Sequence, residues 1–423
     1  MASFKRTEIG FRAAKAMLCL VTLFTAMPAF AKAPSPLAMA RSSCFSGGKA
    51  TPDQIIAGCT GVIAAKGTKP KDLVGAYLNR GANYLTKNDS DRAIADFSEL
   101  IRRNPKLAGA YTNRGEAWRR KGEVNRAIAD LDRAIALDPK GSFAWFNRGI
   151  TYSDKGEPEK AIADYNQAIR LNSIDPWYYN NRGNSYGDIN EFSRAMSDYD
   201  HAIKLDPKFA LAYFNRGTAY WNHGDEARAL ADLNTSIRLD PNYAAAYGNR
   251  ARLFRGKGDI ERALADLHQS LRLAPDEYRD AYARGLLHFD RHDFSRALSD
   301  FDQAIRFNPK YAAALNARCL TRAILGRPQE GLADCSESLR HRPDDAQTLD
   351  SRAFCYLKLG QFDAAIDGFT VALGVDPKLA NSLYGRGIAK RKKGDESGAE
   401  SDIAAARAIK ADISEEFRHY EIE

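Results

Sequence analysis

The sequence predicts an all-α chain of stacked helix pairs, and three observations predict it. The triplet Asn-Arg-Gly stands at 79–81, 113–115, 147–149, 181–183 and 215–217, always 34 residues apart. With residue 210 as position 1 of a 34-residue unit, position 7 is arginine in ten consecutive units, from Arg80 to Arg386, without an insertion. Position 20 is alanine in nine units and Gly331 in the other, and position 32 is proline in eight, failing only at Ser173 and Ala411. A fixed period of this length marks a repeat architecture, in which each unit buries its apolar face against its neighbours.

Each unit reads as two helices. In the unit beginning at residue 210, Tyr213, Gly217 and Tyr220 fall three or four apart on one helical face. Gly224 then ends the first helix as a C-cap glycine. Ala229, Leu233 and Ile237 mark the inner face of the second helix, which stops at Asp240-Pro241. Gly217 and Ala229 are small where the two helices meet, so their axes approach closely.

These residues resemble the tetratricopeptide repeat family. That family has a 34-residue period, small residues at positions 8, 20 and 27, aromatics at 4, 11 and 24, and proline at 32. Here position 4 is Tyr77, Tyr111, Trp145, Tyr179, Tyr213 and Tyr247, then Ala281, Leu315, Leu349 and Leu383. The resemblance implies ten repeats over residues 74–411, with repeat 1 beginning at 74 and repeat 10 at 380. It also implies an α-solenoid winding as a right-handed superhelix with the first helices on its concave side.

The ends differ in composition. Residues 1–31 carry basic residues through Lys15, an apolar stretch at 16–30 and an Ala29-Phe30-Ala31 cleavage site, the layout of a secretory signal peptide cut after Ala31. Export to a bacterial periplasm or beyond is therefore expected, with no membrane insertion once the signal is gone. Residues 32–40 read as a disordered linker, residues 41–70 as a degenerate N-terminal cap, and residues 412–423 as a short amphipathic C-terminal capping helix presenting Ile413, Phe417 and Tyr420. In an oxidising compartment the close pairs Cys44/Cys59 and Cys319/Cys335 are expected to be disulfides, leaving Cys355 over. Of the formal net charge of +8, the signal carries +3, and the rest is too mild and too scattered for nucleic acid.

Helical geometry separates the two recurring polar residues, because a helix turns about 100° per residue. Position 7 borders the face toward the second helix. There Asp stands at position 23 in nine of ten repeats, from Asp96 to Asp402, and Gly368 breaks the series. An arginine–aspartate pair between helices is expected in each repeat but the ninth, which has Asp367 adjacent instead. Position 6 points away from the repeat's own core. It holds Asn79, Asn113, Asn147, Asn181, Asn215 and Asn249, and then Ala283, Ala317, Ser351 and Gly385. The later repeats keep the arginine and drop the asparagine, so folding needs position 7 and not position 6. A carboxamide offers donors and an acceptor on one plane and matches a peptide unit. The stripe looks like the asparagine ladder by which some tetratricopeptide superhelices hold an extended backbone. Phe143, Phe146, Trp177, Phe214 and Trp221, at positions 2, 5 and 12 of repeats 3–5, are the candidate anchors beside it. Tyr282, Phe289 and Phe354 are expected to form a second apolar stretch.

Other chemistry lacks its residues. Position 5 carries no lysine, so the two-carboxylate clamp of the family's chaperone-tail receptors is not expected. His288 and His292 are four apart, but position 15 is a turn and no acid or cysteine joins them, so no metal site is expected. No nucleophile elbow, phosphate loop or dinucleotide fingerprint occurs, so neither catalysis nor a cofactor is expected. The expected function is an exported, non-enzymatic scaffold binding an extended peptide segment of an envelope protein. The alternative is a scaffold for envelope polysaccharide assembly, with Trp177 and Trp221 stacking on sugars.

Overall fold

The computed structural model describes residues 35–46, 50–420 and 422. The described residues form 23 α-helices and no strand. From Pro70–Thr86 to Glu396–Ile409 they make the ten expected helix pairs, an all-α solenoid architecture. The chain divides into two compact units, residues 1–215 and 216–423, and the break falls inside the first helix of repeat 5. The expected signal at 1–31 lies outside the described residues, as do residues 32–34 of the expected linker.

The rest of that linker is a helix, not disordered chain. Pro36–Cys44 is helical because Ser35 caps it, accepting from the Ala38 amide at 3.2 Å, and Pro36 fits the first turn. Leu37 and Ala40 then pack on Cys44, Cys59, Val62 and Ala76. The helix Pro52–Ala64 follows behind a Thr51/Gln54 capping box. Cys44 and Cys59 are bonded, with their Cα atoms 4.5 Å apart, so the cap is a stapled helix pair.

Within each repeat, position 15 requires a left-handed backbone. It is glycine at Gly122, Gly156, Gly224, Gly258, Gly326, Gly360 and Gly394, all near φ 70–86°, and Asn88, Asn190 and His292 adopt the same conformation elsewhere. Position 8 is small because of the second helix. A Cβ added to Gly149 would lie 2.6 Å from the Tyr165 ring. The position-4 ring reaches back to the preceding repeat. Trp145 Nε1 donates to the Pro139 carbonyl at 3.1 Å, and Tyr179 and Tyr247 make the corresponding bonds to Ser173 and Pro241.

The arginine–aspartate pairs form in every repeat except the ninth, where Gly368 stands in place of the acid. Arg182 is typical. Its Nε donates to Asp198 Oδ2 at 2.8 Å and its Nη2 to Oδ1 at 2.7 Å. The structure adds a contact the expectation lacked. Arg182 Nη1 also donates to Asn166 Oδ1 at 2.6 Å, on the second helix of the preceding repeat. Arg148, Arg250 and Arg318 do the same with Asp132, Asn234 and Asp302. Position 7 therefore clips three helices together. The guanidinium also lies over the position-4 ring, at 4.8 Å for Arg148 on Trp145. Hydrogen bonds to Asp96 and Asp130 raise the Arg80 and Arg114 guanidinium pKa values above their ordinary level.

In the second unit Cys319 and Cys335 are bonded across repeat 8, with Cα atoms 5.5 Å apart. Cys355, in repeat 9, is the buried free thiol, and its Sγ lies 3.6 Å from Cys319 Sγ. This explains the single glycine at position 20. A Cβ on Gly331 would lie 2.7 Å from the Cys319 carbonyl and 3.0 Å from Cys355 Sγ. Burial pushes the Cys355 thiol up to about 12, so it stays protonated at neutral pH.

Asp350 gives this unit a pH dependence. Ser382 Oγ donates to its Oδ1 at 2.5 Å, but burial, with Glu416 nearby, pushes the carboxyl up to about 7 from an ordinary 3.8. Between those values the folded chain holds a proton that the unfolded chain has released. The stability this group contributes is present below about pH 4 and lost as pH rises through about 7. Asp350→Asn is expected to be more stable than the parent at pH 8 and equal to it at pH 4, read from urea unfolding midpoints. Equal midpoints at both pH values would contradict this assignment.

Candidate functional site

Position 6 lies on the face where first helices of successive repeats run side by side. Its reach is toward the preceding repeat. Asn215 Nδ2 donates to Asn180 Oδ1 at 2.9 Å, and Asn249 Nδ2 donates to Thr218 Oγ1 at 2.9 Å. Asn79 Nδ2 donates to the Cys44 carbonyl in the cap, also at 2.9 Å. Asn249 additionally accepts from Arg252 Nη1 at 2.7 Å and is only 4% exposed. Asn79, Asn215 and Asn249 thus spend their amides inside the protein, and Asn249 is sealed outright. The expected six-membered ladder is shorter than the sequence implied.

Three members remain. The amides of Asn113 and Asn147 are half-buried and make no hydrogen bond within the described residues. Asn181 Nδ2 donates to the Trp177 carbonyl one turn back at 2.9 Å, which leaves its Oδ1 open. The difference follows from the preceding repeat. Asn215 and Asn249 find Asn180 and Thr218 at positions 5 and 9 there. At those positions Asn113 follows Leu78 and Ala82, and Asn181 follows Phe146 and Ile150, none of which carries a hydrogen-bonding side chain. Asn147 follows Thr112 and Glu116, and both are already engaged. Thr112 donates to the Ala108 carbonyl at 3.2 Å, and Glu116 is held by Arg119 and Arg120.

That glutamate belongs to a charged cluster which sequence reasoning missed. Arg119 Nε donates to Glu116 Oε2 at 2.7 Å and its Nη1 to Asp154 Oδ2 at 2.6 Å, linking repeats 2 and 3. Arg120 Nε donates to Glu116 Oε1 at 2.6 Å and its Nη1 to the Leu85 carbonyl at 2.9 Å. Burial pushes the Glu116 carboxyl up, but the two arginines outweigh it and hold the pKa below the usual range. Glu116 stands three residues from Asn113 and so shares its helical face. The signal was present at positions 9, 12 and 13, where Glu116, Arg119 and Arg120 form spaced charges.

The expected aromatic anchors divide. Phe143 is 62% exposed, with its ring meeting Tyr178 edge-on at 6.5 Å, and Trp177 is 37% exposed, 4.7 Å from Phe209. Both rings are exposed on the helices that carry Asn147 and Asn181. Phe146 is not an anchor. Only 8% exposed, it packs on Tyr178 at 4.7 Å and Tyr165 at 5.8 Å, filling the space between repeats 3 and 4. Phe214 is half-buried in the first unit and Trp221 half-buried in the second, so the expected cluster does not sit within one unit.

The histidine pair parts company. His288 Nε2 lies 3.8 Å from Asp300 Oδ2, and burial lowers its pKa, while His292 stacks on His419 with centroids 3.9 Å apart. No cluster of three metal-ligating side chains occurs among the described residues. No helix among them is long and apolar enough to cross a membrane.

Comparison with known proteins agrees with the repeat geometry. Tetratricopeptide repeat families match residues 78–142, 142–174, 210–243, 244–277 and 282–346, and a TPR repeat family matches 183–224. No curated protein matches the chain. Among solved structures, a tetratricopeptide repeat protein from Parabacteroides merdae is 22% identical over 59% of this chain and 98% of its own, with a TM-score of 0.47. MamA is 25% identical over 39% of this chain and 96% of its own, with a TM-score of 0.34. YrrB, described as a TPR protein with an unusual peptide-binding site, is 24% identical over 44% of this chain and 97% of its own, with a TM-score of 0.35. The arginine clips, the left-handed position 15 and the matched repeats lead to one assignment: the chain belongs to the tetratricopeptide repeat family and has the architecture of a protein-interaction scaffold.

Proposed function

We propose that this chain is an exported, non-enzymatic scaffold that holds an extended segment of an envelope protein against the first helices of repeats 2–4. Asn113, Asn147 and Asn181 grip the main chain, and Phe143 and Trp177 receive side chains. One observation carries the reading. In this stretch Asn113 and Asn147 keep their amides uncommitted and Asn181 keeps its Oδ1 open, whereas the same residue at 79, 215 and 249 reaches across to the preceding helix pair. The open donors of Asn113 and Asn147 and the open acceptors of all three are ready to exchange water for a peptide unit. The Glu116–Arg119–Asp154 cluster supplies fixed charges beside them, which would orient a polar segment.

The test begins with peptides selected from a random display library against the purified protein. The variant N113A/N147A/N181A then replaces three contacts worth about 0.5–1.5 kcal/mol each. Affinity is expected to fall by roughly tenfold to a thousandfold in fluorescence anisotropy, with the helical circular dichroism unchanged. N249A serves as the control outside the site. Unchanged affinity in the triple variant, with loss only on Trp177→Ala, would replace the amide grip with aromatic recognition.

A further inference from the structure

The C-terminal helix does more than close the end of the solenoid. Ile413–His419 starts as the expected lid, with Ile413 buried and Arg407 Nε donating to Ser414 Oγ at 3.2 Å. Its far half turns onto the first-helix face of the second unit. Phe417 lies 4.7 Å from Tyr384 of repeat 10 and 5.9 Å from Phe354 of repeat 9. Tyr420 lies 5.8 Å from Phe354 and 6.3 Å from both Phe289 and Phe294 of repeat 7. His419 stacks on His292, the only residue other than Gly or Asn at position 15. Lys358 Nζ donates to the Tyr420 carbonyl at 2.9 Å, and Asn381 Nδ2 donates to Glu416 Oε1 at 3.2 Å.

The receiving residues fall in a pattern. Five of the seven, Asn381, Tyr384, Phe354, Phe289 and Lys358, occupy positions 2, 5, 9, 12 and 13 of first helices. Of these, 2, 9 and 13 point away from the repeat's own core and 5 and 12 flank it. His292 and Phe294 stand at the turn and the second-helix start of repeat 7. Positions 9 and 12 are apolar throughout repeats 7–9, as Leu286, Phe289, Leu320, Ala323, Phe354 and Leu357. In repeats 2–4 the same positions are Glu116, Arg119, Ile150, Ser153, Asn184 and Gly187. An end cap needs an apolar surface on the last repeat alone. This surface extends three repeats further back, and the chain's own tail lies along it.

We propose that the first-helix face of repeats 7–10 is a docking site for a short helical segment of another protein, which this chain's residues 413–420 occupy in cis. The partner segment carries an aliphatic residue and two aromatics at the spacing of Ile413, Phe417 and Tyr420, with a carboxylate where Glu416 stands. Burial shows how closely the tail fits: Phe417 is 2% exposed and Tyr420 is 4% exposed. This site lies in the second unit and shares no residue with Asn113, Asn147 and Asn181, so its failure leaves the peptide-grip reading intact. A tethered occupant is present at an effective concentration in the millimolar range, so an outside segment binds only when it outcompetes the tail or when the tail is released.

The experiment uses the full chain and a fluorescein-labelled peptide with the sequence of residues 411–423. The variant F417A/Y420A weakens the tail's hold without touching the face. The peptide is expected to bind this variant at least tenfold more tightly than it binds the parent chain. Adding Phe354→Ala to the variant is expected to remove that binding. Tyr420→Ala alone, which keeps Phe417 in place, is expected to give a smaller gain in the same direction. Equal binding to parent and variants, or no binding to either variant while circular dichroism shows native helix, would overturn the proposal. So would a peptide-sensitive dimer of the parent in light scattering, because the tail's competitor would then be a second copy.

Discussion

Arg182→Leu is expected to be among the most damaging single substitutions in the first unit. The arginine holds Asp198, which is buried, through two short bonds, and it holds Asn166 of the preceding repeat through a third. Removing it leaves a carboxylate with no countercharge in a nearly dry site. Breaking such a pair from one side costs about 3–5 kcal/mol, because the remaining charge stays desolvated. The loss also uncouples repeat 3 from repeat 4, since the Asn166 contact crosses between them. In a repeat array stability is close to a sum of repeat and interface terms, so unfolding should become visibly stepwise in urea. Adding Asp198→Leu is expected to restore part of the stability, because it removes the orphaned charge. A single sharp transition at the parent's midpoint in Arg182→Leu would contradict the clip. Arg352 is the internal comparison: its repeat has Gly368 in place of the acid, so Arg352→Leu should cost far less.

The second large effect is expected from the Cys319–Cys335 bond. It closes a loop of 16 residues, and in the chain-entropy description such a loop is worth about 3 kcal/mol. The double variant C319A/C335A should therefore unfold at a clearly lower urea concentration, with the loss read in the second unit by hydrogen exchange. The single variant C335A should lose less under oxidising refolding. Cys355 Sγ already stands 3.6 Å from Cys319 Sγ, so a bond between these two replaces the lost one. Peptide mapping under non-reducing conditions identifies the new pair. If C335A carries no disulfide between Cys319 and Cys355 after oxidation with glutathione, the proximity has no chemical consequence.

The sequence carried most of the fold. Its strict period located both helices of every repeat, the Arg80–Asp96 type of pair, and both cysteine bonds. These features depend on residues a fixed distance apart, which one chain displays openly. What it hid depends on neighbours across repeats. Asn249 has the same place in its helix as Asn113, yet Thr218 and Arg252 close over it. The clue was the residue at positions 5 and 9 of the preceding repeat, read as a pair with position 6. Phe146 failed as an anchor for a similar reason, because Tyr178 of the next repeat covers it. The helix Pro36–Cys44 was missed because its signal is only Ser35-Pro36 at the start, and its apolar contacts come from the disulfide-stapled cap. The tail's amphipathic face was legible, but its landing place was not, because contacts with Phe289 and His292 lie over a hundred residues back in sequence.

The account turns on which asparagine amides meet the guest. Selective nitrogen-15 labelling of asparagine gives a side-chain amide signal for each of them in an NMR titration with a selected peptide. The signals of Asn113, Asn147 and Asn181 are predicted to shift in step with peptide occupancy, while those of Asn79, Asn215 and Asn249 stay in place. At saturating peptide, stationary signals from Asn113, Asn147 and Asn181 would contradict it.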